Sequence, residues 1–205
     1  TTAYGAVECV SCSPGKFAGT EGQTACDPCP LGTYNNSYGC TACSRCAIGR
    51  FAASVANTDC DTCPGASTTR IEAATLATDC ACPPGTIRMG DVTSVTSVDC
   101  QPCPQGMTCD FGCQNPGTGG SVEPMLKPYY WSSVEQPLSV FRCALDRQCP
   151  GGQPGRACGQ DLEDRACAHC KDGYAWNGKS CAECAGAEKS AFLYPVLPFL
   201  LCPVL

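Results

Sequence analysis

The chain has 205 residues, 23 of them cysteine, and a net charge of −6. Leu, Ile, Val and Phe together number only 31, against 39 Gly plus Pro, too few for the aliphatic interior that an enzyme domain of this length would bury. Cysteine at this density marks a disulfide scaffold from an oxidising compartment, and the acidic balance leaves no basic stripe for nucleic acid.

In chain order, the opening Thr-Thr-Ala-Tyr carries no initiator methionine and reads as a mature product or a fragment. A repeat then sets in. The second cysteine of each close pair falls at Cys12, Cys29, Cys46, Cys63, Cys82 and Cys103, in steps of 17, 17, 17, 19 and 21 residues. Glycine follows three positions later at Gly15, Gly32, Gly49, Gly85 and Gly106, and a bulky residue two beyond it at Phe17, Tyr34, Phe51 and Ile87. The Cys63 repeat is degenerate, with its glycine at Gly65 and no aromatic. Opening and closing cysteines recur at a regular distance, which predicts the bonds Cys12–Cys26, Cys29–Cys43, Cys46–Cys60, Cys63–Cys80 and Cys82–Cys100. Closing a loop of this size removes roughly 3 kcal/mol of unfolded-chain entropy. A 17-residue unit cannot bury a core of its own. The expected fold class is therefore small and disulfide-rich, an elongated array of closed loops touching only their neighbours, with short two-stranded ladders and almost no helix. One helical turn is expected within Thr69–Ala77. Cys9 and Cys40 stand outside the register, either bonded to each other or, for Cys9, bonded beyond this chain.

From Cys109 the pattern changes. A Gly/Pro-rich stretch leads to Lys127-Pro-Tyr-Tyr-Trp131, where Tyr129, Tyr130 and Trp131 either offer a sugar-stacking platform or cover disulfides in a core-poor module. The last fifteen residues, 191–205, are all apolar, Tyr or Pro, and hold Phe192, Leu193, Val196, Leu197, Phe199, Leu200 and Leu201. They fall short of the roughly 20 residues that span a bilayer, and Pro195, Pro198 and Pro203 discourage a straight helix. Burial of this tail calls for a groove on its own chain, a neighbouring copy of the chain, or membrane.

Chemistry beyond structure finds little support in the residues. Cys9, Cys12, Cys26 and Cys29 have the outline of a zinc site, but the pattern runs on without any group of four standing apart. The single histidine, His169, has no second histidine to join it. We therefore expect disulfides, no metal and no cofactor. No βαβ pattern surrounds the C-x-x-C pairs, which argues against redox catalysis. Calcium at Asp59, Asp61, Asp79 or Asp99 competes with the plainer reading of a solvated face. One histidine without a nucleophile motif or paired carboxylates makes an enzyme improbable. Asn35-Asn36-Ser37 is the one N-x-S/T sequon, placed mid-loop, where a surface position and glycosylation of Asn35 are expected.

Cys26-Asp-Pro-Cys-Pro-Leu-Gly-Thr-Tyr34 and its 17-residue return resemble the ephrin-receptor-like cysteine-rich repeats over roughly Cys9 to Cys113. The run Cys170-Lys-Asp-Gly-Tyr-Ala-Trp-Asn-Gly-Lys-Ser-Cys181 resembles the closing half of a growth-factor-like loop, which implies a Cys170–Cys181 bridge. The second half is also similar to segments that follow such arrays in large surface proteins of unicellular eukaryotes, although Tyr129 stands where glycine is usual. The organisation so implied is a repeat array over 1–113, a connector over 114–128, a growth-factor-like module over 129–187 and an apolar tail over 188–205. The resemblance implies an extracellular, non-catalytic region and fixes no ligand. Two functions follow. One is a structural protein that assembles head to tail with copies of itself into a coat, hair or filament. The other is the juxtamembrane ectodomain of a larger receptor or channel-like protein.

Overall fold

The computed structural model describes residues 11–184, apart from 91–93, 95, 117, 119 and 146. The chain divides into two compact units, one of residues 1–104 with 108–124 and one of 105–107 with 125–205. Each is small-disulfide in character, built from strands of two to four residues and, among the described residues, one 3₁₀ turn.

Nine disulfides join described cysteines. Five close the loops expected from spacing, Cys12–Cys26, Cys29–Cys43, Cys46–Cys60, Cys63–Cys80 and Cys82–Cys100. Cys170–Cys181 is also bonded. Three shorter loops had no counterpart in the spacing argument: Cys103–Cys109, Cys143–Cys149 and Cys158–Cys167. Three of the four positions in the zinc alternative, Cys12, Cys26 and Cys29, are thus taken up in disulfides.

Each regular unit repeats one local design. The glycine three residues after the opening cysteine turns left-handed, with φ of +82° at Gly15, +74° at Gly32 and +86° at Gly49. The two residues after it form an antiparallel ladder with the two residues before the next opening cysteine. Lys16–Phe17 thus pairs with Asp27–Pro28, Thr33–Tyr34 with Ser44–Arg45, and Arg50–Phe51 with Asp61–Thr62. The next opening cysteine then donates its N–H back to the turn carbonyl, Cys29 to Gly15 at 2.8 Å, Cys46 to Gly32 at 2.9 Å and Cys63 to Gly49 at 2.9 Å. Such ladders are too short to stand alone.

Neighbouring units are stitched by main-chain bonds at repeat spacing. Gly39, Ala56 and Ala73 donate to the opening-cysteine carbonyls of the unit before, Cys12, Cys29 and Cys46, at 2.8–2.9 Å. The residue after each aromatic donates in turn to the following unit, Ala18 to Cys40, Asn35 to Asn57 and Ala52 to Ala74, at 3.0–3.1 Å. The core is correspondingly thin. Cys46, Ala52 and Cys60 are buried together with Tyr34 packed against them, so the aromatic covers the disulfide of the next unit. The helical turn expected within Thr69–Ala77 lies further on, as a 3₁₀ turn at Ala77–Asp79. It forms there because Asp79 Oδ2 accepts the N–H groups of Thr75 and Leu76 at 3.0 and 2.9 Å.

The second unit contains a copy of the same design without its cysteines. Tyr129 holds the left-handed turn at φ +72°, Tyr130–Trp131 pairs with Phe141–Arg142, and Cys143 N donates to Tyr129 O at 2.8 Å. Counting back three residues from the turn places buried Leu126 at the opening position, and counting back three from Cys143 places Val140 at the closing one. The likeness runs further. Gly112 donates to the carbonyl of Cys82 at 2.8 Å, and Gly152 donates to that of Leu126 at 3.0 Å. Each follows a six-residue disulfide step, Cys103–Cys109 in one case and Cys143–Cys149 in the other. The pattern of residues 82–112 is therefore repeated by 126–152, with an aliphatic pair standing where the first disulfide was.

Candidate functional site

Tyr129, Tyr130 and Trp131 do not share one platform. Tyr130 lies over Gly106, where a Cβ would overlap its ring. Trp131 packs on the cluster of Cys143, Cys149, Leu162 and Cys167, and its ring centroid is 6.0 Å from that of Phe141. Tyr129 is partly exposed at its turn. Covering disulfides is what Trp131 does here.

Beside Trp131 the second unit holds a cleft of about 750 Å³. Phe141 and Leu162 line it with Arg156, Arg165, Lys171 and Glu163. The Arg165 guanidinium sits 4.1 Å from the Phe141 ring centre, a cation–π contact that occupies that aromatic face. Four non-glycine residues nearby have positive φ, namely Asp161, Asp164, Ala166 and Cys167. Cys149 and Cys167, from different disulfides, bring their sulfurs to 3.4 Å in the buried core beneath. The bent segment is thus anchored at its end by the Cys158–Cys167 bond.

The acidic residues beside the closing cysteines serve local structure. Asp59 accepts the N–H of Cys60 at 2.8 Å and pairs with Arg50 at 3.2 Å. Asp79 caps its 3₁₀ turn, and Asp99 accepts the side-chain amide of Gln101 at 2.8 Å. Asp61 lies exposed in its two-residue strand. Among the described residues no three potential ligands gather for a metal. His169 Nδ1 is 3.2 Å from Asp164 Oδ2, both exposed.

The surface position expected for Asn35 is corrected by the structure. Asn35 is only 5% exposed. Its Nδ2, the atom a glycan would take, donates to the carbonyl of Lys16 at 2.8 Å. Its Oδ1 accepts from Ser37 N and from the Cys40 thiol, both at 2.9 Å. The side chain braces two consecutive units, a role that sequence spacing does not display because Lys16 lies nineteen residues back.

Among the described residues three cysteines remain thiols, Cys40, Cys113 and Cys184. Cys40 and Cys113 occupy the same position in their units, one accepting from Ala18 and the other from Arg88 at the same step of the stitching pattern. Burial, assisted by the Asp110 carboxylate, pushes the Cys113 thiol up from 9.0 to about 11. Cys9, Cys202 and the tail residues Phe192 to Leu201 lie outside the described residues. Among the described residues no helix is long and apolar enough to cross a membrane.

Of the array's exposed large apolar residues, four recur in two consecutive units, whereas Ile71 and Leu76 have no counterpart at the repeat step. Leu31 and Ile48 each follow an opening cysteine by two residues in consecutive units, and Tyr38 and Val55 follow by nine. All four are between 46% and 74% exposed. Their side chains recur at the 17-residue step of the scaffold.

The family model described as "tyrosine-protein kinase ephrin type A/B receptor-like" matches residues 1–42 and 32–80. No curated protein matches the chain. The N-terminal region is thus similar to that cysteine-rich family, and this similarity together with its disulfides points to an extracellular or cell-surface setting.

Proposed function

We propose that this chain is a non-catalytic structural protein of the cell surface that associates with copies of itself into a coat, hair or filament. Its stitched, disulfide-closed units act as a spacer, and apolar side chains supply the contacts. The observation that carries this reading is the exposed set Leu31, Ile48, Tyr38 and Val55, recurring with the repeat. A periodic surface is matched by a partner of the same period, which a second copy provides. The apolar composition of residues 191–205 suits them to a further contact with a neighbouring copy.

Sedimentation of the secreted protein tests the reading. Concentration-dependent association that is lost in a Leu31→Asp/Ile48→Asp variant, or on deletion of Phe192 to Leu205, supports it. A full-length chain that stays monomeric and partitions into detergent favours the second reading, a juxtamembrane ectodomain of a larger membrane receptor or channel-like protein. That alternative draws on the receptor family matched by the N-terminal region.

A further inference from the structure

The repeat carries charge to its surface as well as apolar side chains. Tyr38 and Val55 follow the opening cysteine of their units by nine residues, and Glu21 and Glu72 follow Cys12 and Cys63 by the same nine. The four thus stand at one 17-residue step, and all are exposed. Their local backbone is shared. Each precedes a left-handed residue, Gly22, Gly39, Ala56 and Ala73, with φ of +77°, +72°, +60° and +58°. Gly39, Ala56 and Ala73 anchor that turn by donating to the opening-cysteine carbonyl of the unit before, Cys12, Cys29 and Cys46. The apolar pair is therefore bracketed along its own row by a carboxylate on either side. Among the described residues neither carboxylate forms an ion pair. Arg50 is taken by Asp59, and the Arg70 guanidinium lies 4.9 Å from the Phe111 ring centre. The other exposed pair, Leu31 and Ile48, is bracketed at its step by Pro14 and Gly65, which carry no charge.

We infer that Glu21 and Glu72 set the register of the contact between copies and cap its strength, an inference that rests on the self-association reading above. Two copies of the row can meet parallel or antiparallel. In full register, either arrangement lays apolar residue on apolar residue and carboxylate on carboxylate: Glu21 meets Glu21 in one and Glu72 in the other. A shift by one unit parts the carboxylates, but it lays a glutamate on Tyr38 or Val55 of the other copy, where it sheds water without a partner. Full register is thus the alignment that buries the most apolar surface, and facing like charges weaken it. The two acids hold the contact aligned and keep it weak.

Two full-length secreted variants test this, each with its disulfide map checked by non-reducing digestion. In Glu21→Gln/Glu72→Gln both repulsive contacts go, and sedimentation should show self-association roughly 2- to 30-fold tighter than in the unaltered chain. In Glu21→Lys/Glu72→Lys the like charges are only reversed, so this variant alone should gain nothing. Mixed with the unaltered chain, it sets lysine against glutamate in both arrangements, and labelled mixed complexes should exceed their chance share. Raising salt from about 0.01 M to about 0.15 M shortens the screening length from about 30 Å to about 8 Å. That should weaken the mixed complex and strengthen self-association of the unaltered chain. Net charge alone gives another ranking: lysine exchange moves the chain from −6 toward neutrality, so the variant would associate best with itself. That ranking, an unchanged glutamine variant, or a mixture without preference would overturn the inference while the unaltered chain still associates, leaving the self-association reading in place. Absence of association in every sample would overturn both.

Discussion

At the scale of single residues, two glycines with the same backbone separate conformation from contact. Gly32 and Gly85 turn left-handed at φ +74° and +82°. A Cβ on Gly32 would overlap the carbonyl oxygen of Ala73, whereas one on Gly85 would meet nothing within 4 Å. Gly85→Ala should therefore cost only the left-handed penalty, about 1–2 kcal/mol. Gly32→Ala should cost roughly 1–3 kcal/mol more, because Ala73 of the next unit but one must move. Denaturant unfolding under non-reducing conditions measures both, and equal costs would remove the close stitching of units from the account. The Cys113 thiol gives a second test. Held at about 11 by burial, it stays protonated where an unfolded thiol of 9.0 begins to ionise. Stability should fall as pH rises from 9.0 through about 11, since the unfolded state sheds its proton first. At pH 8 Cys113 should resist alkylation until the chain unfolds, and rapid labelling of the native protein would contradict its burial. Asn35 gives a third. With Nδ2 committed to Lys16, the folded secreted protein should show no mass loss on enzymatic removal of N-glycans. A glycan found on Asn35 would mean that the brace between units is absent.

At the scale of elements, the disulfide loops were legible in the sequence because each is closed by the next in-register cysteine, so spacing alone carries the pairing. Where a unit swaps its cysteines for Leu126 and Val140, counting cysteines passes over it. Two signals remained: the bulky Trp131 two residues beyond a turn, and a 14-residue step from position 126 to 140 equal to that of Cys12–Cys26. Tyr129 hid the first, since a tyrosine at φ +72° gives no hint of the glycine-like turn it makes. The short loops at Cys103–Cys109 and Cys143–Cys149 were illegible for another reason, since six residues depart from the period. If residues 126 and 140 do occupy the opening and closing positions, Leu126→Cys/Val140→Cys should oxidise under mild oxidant to an additional bond. It should stabilise the second unit by roughly 3 kcal/mol, or less where native geometry is strained. Two persistently free thiols in the variant, mapped after mild oxidation, would show that the cysteine-free copy has a different geometry.

At the scale of the molecule, sparse aliphatic residues and dense cysteines have one physical consequence. Order comes from covalent loops and from main-chain bonds between successive units, not from a central core. Such a scaffold spends few large apolar residues on its interior, so those left exposed at repeat spacing are available for contacts. The sugar platform and the calcium sites suggested by residue type are better explained by local structure: Trp131 covers disulfides, and Asp59 and Asp79 bind backbone N–H groups. The sequence alone could not choose between these uses, because the fold sets the partners: side chains as distant as Cys167 for Trp131, and main-chain N–H groups for Asp59 and Asp79. Under the function proposed, the exposed apolar side chains serve contacts with other copies of the chain. Electron microscopy of the full-length secreted protein, purified without detergent and concentrated, tests this most directly. The account predicts regular polymers that disperse when Leu31 and Ile48 are made Asp. Uniform single particles at every concentration, soluble only within detergent micelles, would contradict it.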